Sequence, residues 1–164
     1  MTIETKLKDH REYAWNYFQL HANQRMTTFN FFVVIATLLS AGLAGTFKKD
    51  YEYEFIGVVL GLDMAIISFV FWKLDQRVRY LIKHAESALK EIERQSVIVT
   101  HQDVNQNVSL FSSEEKKTAD IRSQHGWLPW RRHMSYSECF GSVYFVFGIL
   151  GALGTAASII RWVA

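Results

Sequence analysis

Asp63 stands near the middle of an unbroken apolar run, FIGVVLGLDMAIISFVFW, from Phe55 to Trp72. A run of about 18 residues matches the hydrocarbon thickness of a bilayer at about 1.5 Å per residue. A carboxylate at that depth costs about 2.5–3.5 kcal/mol on insertion scales, so it needs a partner or a task. Two arrangements answer that need. Thr37, Ser40 and Thr155 lie near the midpoints of two other apolar runs, so their hydroxyls fall at matching depth. A carboxyl bonded to them is a structural clasp, contributing about 0.6–2 kcal/mol per bond. In the other arrangement, copies of Asp63 from several chains ring a cation path, as acidic rings do in channels.

Little else in the chain carries chemistry. There is no glycine-rich phosphate loop after a strand, no HExxH, no paired CxxC and no GxSxG elbow. The six histidines are scattered, and His125 with His133 lacks a cysteine or acid at metal-ligand spacing. Glu114 and Glu115 read as a solvated helix start. The expectation is a protein that is not an enzyme and uses no cofactor or metal. A net charge of +2 implies no nucleic-acid surface, so no direct nucleic-acid binding is expected. The lone Cys139 can form no internal disulfide.

The elements that must position Asp63 are three apolar blocks, 29–47, 55–72 and 140–162. Gathering the apolar residues into blocks, rather than periodic stripes, predicts an all-α integral membrane protein with three transmembrane helices. Residues 1–28 read as an amphipathic helix with a narrow polar stripe of Asp9, Glu12, Asn16, Gln19 and Asn23. Its aromatic remainder must be buried, against a neighbouring helix or on lipid headgroups. Residues 29–73 form a transmembrane hairpin closed by the short link KKDYEYE, 48–54.

Residues 74–95 continue the second span as a coiled-coil-like helix, so helices 1 and 2 extend into a cytoplasmic stalk. Leu74, Val78, Leu81, Ala85, Ala88 and Ile92 alternate by four and three, a seam for sister chains or a partner. Asp75–Arg79 and Glu86–Lys90 have the spacing of ion pairs on the wet side. Residues 96–139 are a cytoplasmic loop whose juxtamembrane part carries Trp127, Trp130, Arg131 and Arg132, suited to lipid headgroups. Ser135 and Glu138 have capping-box spacing at the start of the third transmembrane helix, 140–164.

Glycines mark where helices approach closely. Gly57 and Gly61 share one face, as do Gly148, Gly151 and Gly154, and both faces invite tight crossings within one chain or between copies. Arg25, Lys73, Arg77, Arg79, Lys83, Arg131 and Arg132 flank the spans on one side, against Lys48, Lys49 and Arg161 on the other. The positive-inside rule then puts the N-terminus in the cytoplasm and the C-terminus outside.

The stretches EYAWNYFQLHANQRMTTFNFFVVIATLL and FWKLDQRVRYLIKHAESALKEIE resemble small transmembrane components of bacterial anti-phage defence systems, over roughly the first 95 residues. The resemblance implies a helical membrane element paired with a cytosolic sensor, nucleotide signal or nuclease. The expected partners are therefore the lipid bilayer, further copies of the chain, and a cytosolic protein or nucleotide signal. Two functions fit. One is an oligomeric effector that opens or perturbs the membrane when triggered from the cytoplasm. The other is a membrane sensor or anchor that recruits a cytosolic effector.

Overall fold

The computed structural model describes residues 3–48, 54–100 and 136–163, which form three helices: α1 (Ile3–Thr46), α2 (Glu54–Thr100) and α3 (Tyr136–Val163). The architecture is all-α, and each helix contains a segment long and apolar enough to cross a membrane. At 44 and 47 residues, α1 and α2 each rise about 65–70 Å, twice what a bilayer needs. The amphipathic segment and the first span are thus one continuous helix, and the second span runs on in the same way.

The sequence allows this because no glycine or proline falls between Ile3 and Ala41, or between Leu62 and Thr100. At its end α1 tightens: Phe47 N donates to Ala44 O and Lys48 N to Gly45 O, both at 3.3 Å with three-residue spacing.

Contacts divide the chain into two units, one of residues 1–23 with 78–134 and one of residues 24–77 with 135–164. In the second, which contains the apolar spans, all three helices meet. Phe32, Ala36, Phe140 and Tyr144 are buried, with Phe29, Val33, Ile67, Phe71, Val143 and Phe147 packed around them. Phe29 stacks on Phe140 at 4.0 Å between ring centroids, and Tyr144 meets the Phe32 ring edge-on at 4.6 Å. In lipid there is little hydrophobic drive between helices, so this interlocking of rings and the close approach of backbones hold the unit together.

The closest approach is between α2 and α3. A Cβ at Gly151 would lie 2.7 Å from both Gly61 O and Ala65 N. A side chain at Gly57 would meet Ser158 and Thr46, and one at Gly154 would meet Leu43. Gly148 leaves ordinary contact, 3.6 Å, to Ser68 Cβ. These glycines therefore serve packing inside one chain, so they need no sister chain to explain them. Gly151→Ala is expected to force the two backbones apart and destabilise the unit by about 1–3 kcal/mol. Gly141→Ala, with nothing within 4 Å of the new methyl, should leave stability unchanged or raise it by up to about 1 kcal/mol. Unfolding midpoints of the two variants in detergent check this.

In the other unit, Ala14 of α1 and Val78, Ala85 and Leu89 of α2 are buried. Burial within the single chain picks out part of the expected seam. Val78 and Ala85 are inside it, and Leu81 and Ile92 are half-buried, but Ala88 and Leu74 are exposed and Leu89 takes the inner position. Two apolar frames share Val78, Ala85 and Ile92. The one that uses Leu89 in place of Ala88 removes more apolar surface from water, so it prevails.

A groove of about 620 Å³ runs along this helix pair, lined by residues that include Leu7, Tyr13, Tyr17, His84, Ala88 and Ile92. At its rim Arg94 and Gln95 bond the Glu91 carboxylate and hold its pKa down at about 2. A carboxylate lowered in this way keeps its brace wherever pH exceeds the ordinary glutamate range, and loses it only as pH falls towards 2.

Candidate functional site in the membrane-spanning unit

Two ion pairs bracket the apolar zone. At one end Arg25 Nε donates to Asp75 Oδ1 at 2.7 Å and Arg25 Nη2 to Asp75 Oδ2 at 3.0 Å. The same Nη2 donates to Ser137 Oγ at 3.2 Å, and the guanidinium lies 4.9 Å from the centroid of the Phe140 ring. One residue from each of α1, α2 and α3 is thereby tied at one level. The side chains of Arg25 and Asp75 are only 12% and 6% exposed. Asp75 was expected on the wet side with Arg79. It is buried instead, because the Arg25 guanidinium of α1 meets its carboxylate with two charge-assisted bonds.

At the other end Arg161 Nη1 donates to Thr46 O at 3.3 Å, and Arg161 Nη2 stands 3.8 Å from Glu54 Oε1. Residues 25–46 and 54–75 each rise about 32 Å, one hydrocarbon thickness. Lys73 sits 4.8 Å from the Trp72 ring centroid and 5.8 Å from that of Phe69, the cation and indole pairing of a membrane interface.

Asp63 lies near mid-depth between these two levels, and it is exposed on the surface of the single chain. The clasp expected within the chain is not formed. Thr37 Oγ1 donates to Val33 O at 2.7 Å, Ser40 Oγ to Ala36 O at 2.7 Å, and Thr155 Oγ1 to Gly151 O at 2.9 Å. Each hydroxyl serves its own helix, and Ser40 also reaches Met64 Sδ at 3.3 Å. The cause is rotation. Asp63 is two residues from Gly61 and from Ala65, both turned to Gly151, and two residues rotate a helix by about 200°.

Asp63 thus points away from α3, within an exposed stripe of Ile56, Val59, Ile66 and Val70. A second exposed stripe runs along α1 at the same three- and four-residue steps: Thr27, Asn30, Val34, Thr37, Ala41 and Ala44. Trp127, Trp130, Arg131 and Arg132 lie outside the described residues. Among the described residues, no cluster of three or more His, Cys, Asp or Glu could hold a metal.

The sequence reading missed the Arg25–Asp75–Ser137 tie. The signal available was an acid just after one span and an arginine just before another, at one level of the membrane.

The chain matches the model of the octameric membrane protein family over residues 8–160. It belongs to that family. It is thus an oligomeric membrane protein, and the faces that a single chain leaves open are available to sister chains and to lipid. A relative in Escherichia coli, named CD-NTase-associated protein 19, is 39% identical over 144 residues, covering 87% of this chain and 85% of the relative. Together the family and this relative bear out the resemblance to membrane components of anti-phage defence. No solved structure matches the chain.

Proposed function

We propose that this family member is a non-enzymatic effector of anti-phage defence, an octamer that opens or perturbs the membrane when its cytoplasmic side is triggered. The observation that carries the reading is Asp63, exposed on a single chain at mid-bilayer depth in a protein of an octameric family. An acid left to acyl chains is costly, whereas one turned to sister chains or to water along their common axis is not. The lysines and arginines flanking the spans support an inner-membrane orientation with the N-terminus inside and the C-terminus outside. The name of the E. coli relative supports a trigger tied to a nucleotidyltransferase and its nucleotide signal.

The test is to follow membrane potential after phage challenge in cells carrying the chain with its neighbouring genes. Depolarisation that precedes lysis and depends on the chain is the expected result. Protection with the potential intact would remove the effector reading.

The groove between Tyr13, Tyr17, His84 and Ile92 favours a second reading, a sensor that holds a cytosolic protein there. A soluble partner co-purifying in stoichiometric amount from solubilised membranes supports that reading, and a homo-oligomer alone supports the first.

A further inference from the structure

The exposed surface of the membrane-spanning unit is not uniform. On α3 it is made of large apolar side chains: Phe145, Val146, Ile149, Leu150, Leu153 and Ile160. On α2, Phe55, Leu62, Phe69 and Trp72 form an equally greasy flank. The stripe on α1 differs, since Val34 is its single large apolar residue, among Thr27, Asn30, Thr37, Ala41 and Ala44. Its spacing continues that of the polar positions Asp9, Glu12, Asn16, Gln19 and Asn23 on the same helix. Thr37 lies about 120° around α1 from Leu43, the residue packed on Gly154 of α3, and Asn30 about 140°. The α1 stripe and Asp63 therefore both lie on the side away from α3. The Ser40–Met64 contact, with Leu60 beside the space a Gly42 side chain would take, puts Thr37 and Ala41 within a turn of the depth of Asp63.

Copies threaded through a bilayer in one sense can be related only by rotation about the membrane normal, so an octamer of this chain is a ring. Every residue then repeats at a single height around a central axis. We propose that the α1 stripe, Thr27, Asn30, Val34, Thr37, Ala41 and Ala44, is the surface the octamer turns to that axis, and that α3 is the lipid-facing helix. The occupant of the face is thus water and the same face of the other copies. Phe31 and Leu38, 63% and 68% exposed beside the stripe, are the apolar residues by which adjacent copies seal. Polar side chains within a span face a protein interior or a water-filled cavity, and small ones leave such a cavity open. The inference deepens the pore reading and rests on it for the statement that the axis becomes a path.

The experiment uses the full chain in cell membranes with Cys139→Ser as background, and compares Ala41→Cys with Ala152→Cys. Both are exposed alanines near mid-depth, on α1 and α3 respectively, and both replacements are small. Asn30→Cys and Thr37→Cys extend the comparison along the stripe, and a subunit count confirms that each variant assembles. The probe is N-ethylmaleimide, which consumes thiolates and so reports thiols in water. Modification at Ala41, Asn30 and Thr37 at least about tenfold faster than at Ala152, before or after phage challenge, is expected. Equal rates in both states, or faster reaction at Ala152, would overturn the assignment. Depolarisation with an inert α1 face would sink the lining and spare the effector reading. A reactive α1 face without depolarisation would do the reverse.

Discussion

Asp75→Ala is expected to destabilise the membrane-spanning unit by about 3–5 kcal/mol. The reason is the cation left behind. Arg25 is 12% exposed, and its two bonds to Asp75 are its compensation for leaving water. After the replacement, among the described residues, it keeps Ser137 Oγ and the face of Phe140. Arg25→Ala should cost a similar amount, because it leaves the 6%-exposed Asp75 carboxylate without its cation.

A paired hydrophobic replacement separates the worth of the pair from the penalty of breaking it. Arg25→Met with Asp75→Leu removes both charges and keeps volume, and it should recover most of the loss, since buried pairs and apolar isosteres of similar volume are close in stability. Unfolding of the purified protein in mixed micelles measures all three variants. An Asp75→Ala midpoint equal to wild type would mean that the tie is not what fixes the three helices at that level.

That tie also marks the limit of what the sequence conveyed. Three spans were legible because lipid demands long apolar helices, and the unbroken runs from Ile3 and from Leu62 predict that two of them continue beyond the membrane. The helix faces were only partly legible. Ala88 and Leu89 sit in frames one residue apart that both satisfy a three-four repeat, and the choice depends on which partner surface is present. Asp75 looked like half of an i,i+4 pair because sequence spacing reports local neighbours, whereas its actual partner is 50 residues away.

The depth of Asp63 was readable by counting, but its direction was not. It follows from which side of α2 meets α3, and that was decided by Gly61, where Thr155 and the backbone at Gly151 come too close for any side chain. Glycine spacing in one helix announces a close crossing without saying which helix will use it. Here α3 uses it, leaving Asp63 on the far side, exposed on the single chain.

Asp63→Asn is expected to leave assembly intact and to lower triggered depolarisation by at least about tenfold. The two parts of this expectation have different physical origins. Asn keeps the size of Asp and offers hydrogen-bonding groups of its own, so the octamer should still form. A ring of carboxylates repeated at one height is what draws cations to a path, and amides in its place attract them far less. Asp63→Glu, which retains the charge, should keep depolarisation near wild type. The readout is membrane potential after phage challenge, with the subunit number of each variant checked in detergent. Should Asp63→Asn depolarise cells as fully as wild type, the acid cannot lie in the ion path. It would then be a contact between sister chains, and whatever carries current would have to be sought along α1, where Asn30 and Thr37 remain exposed without any charge of their own.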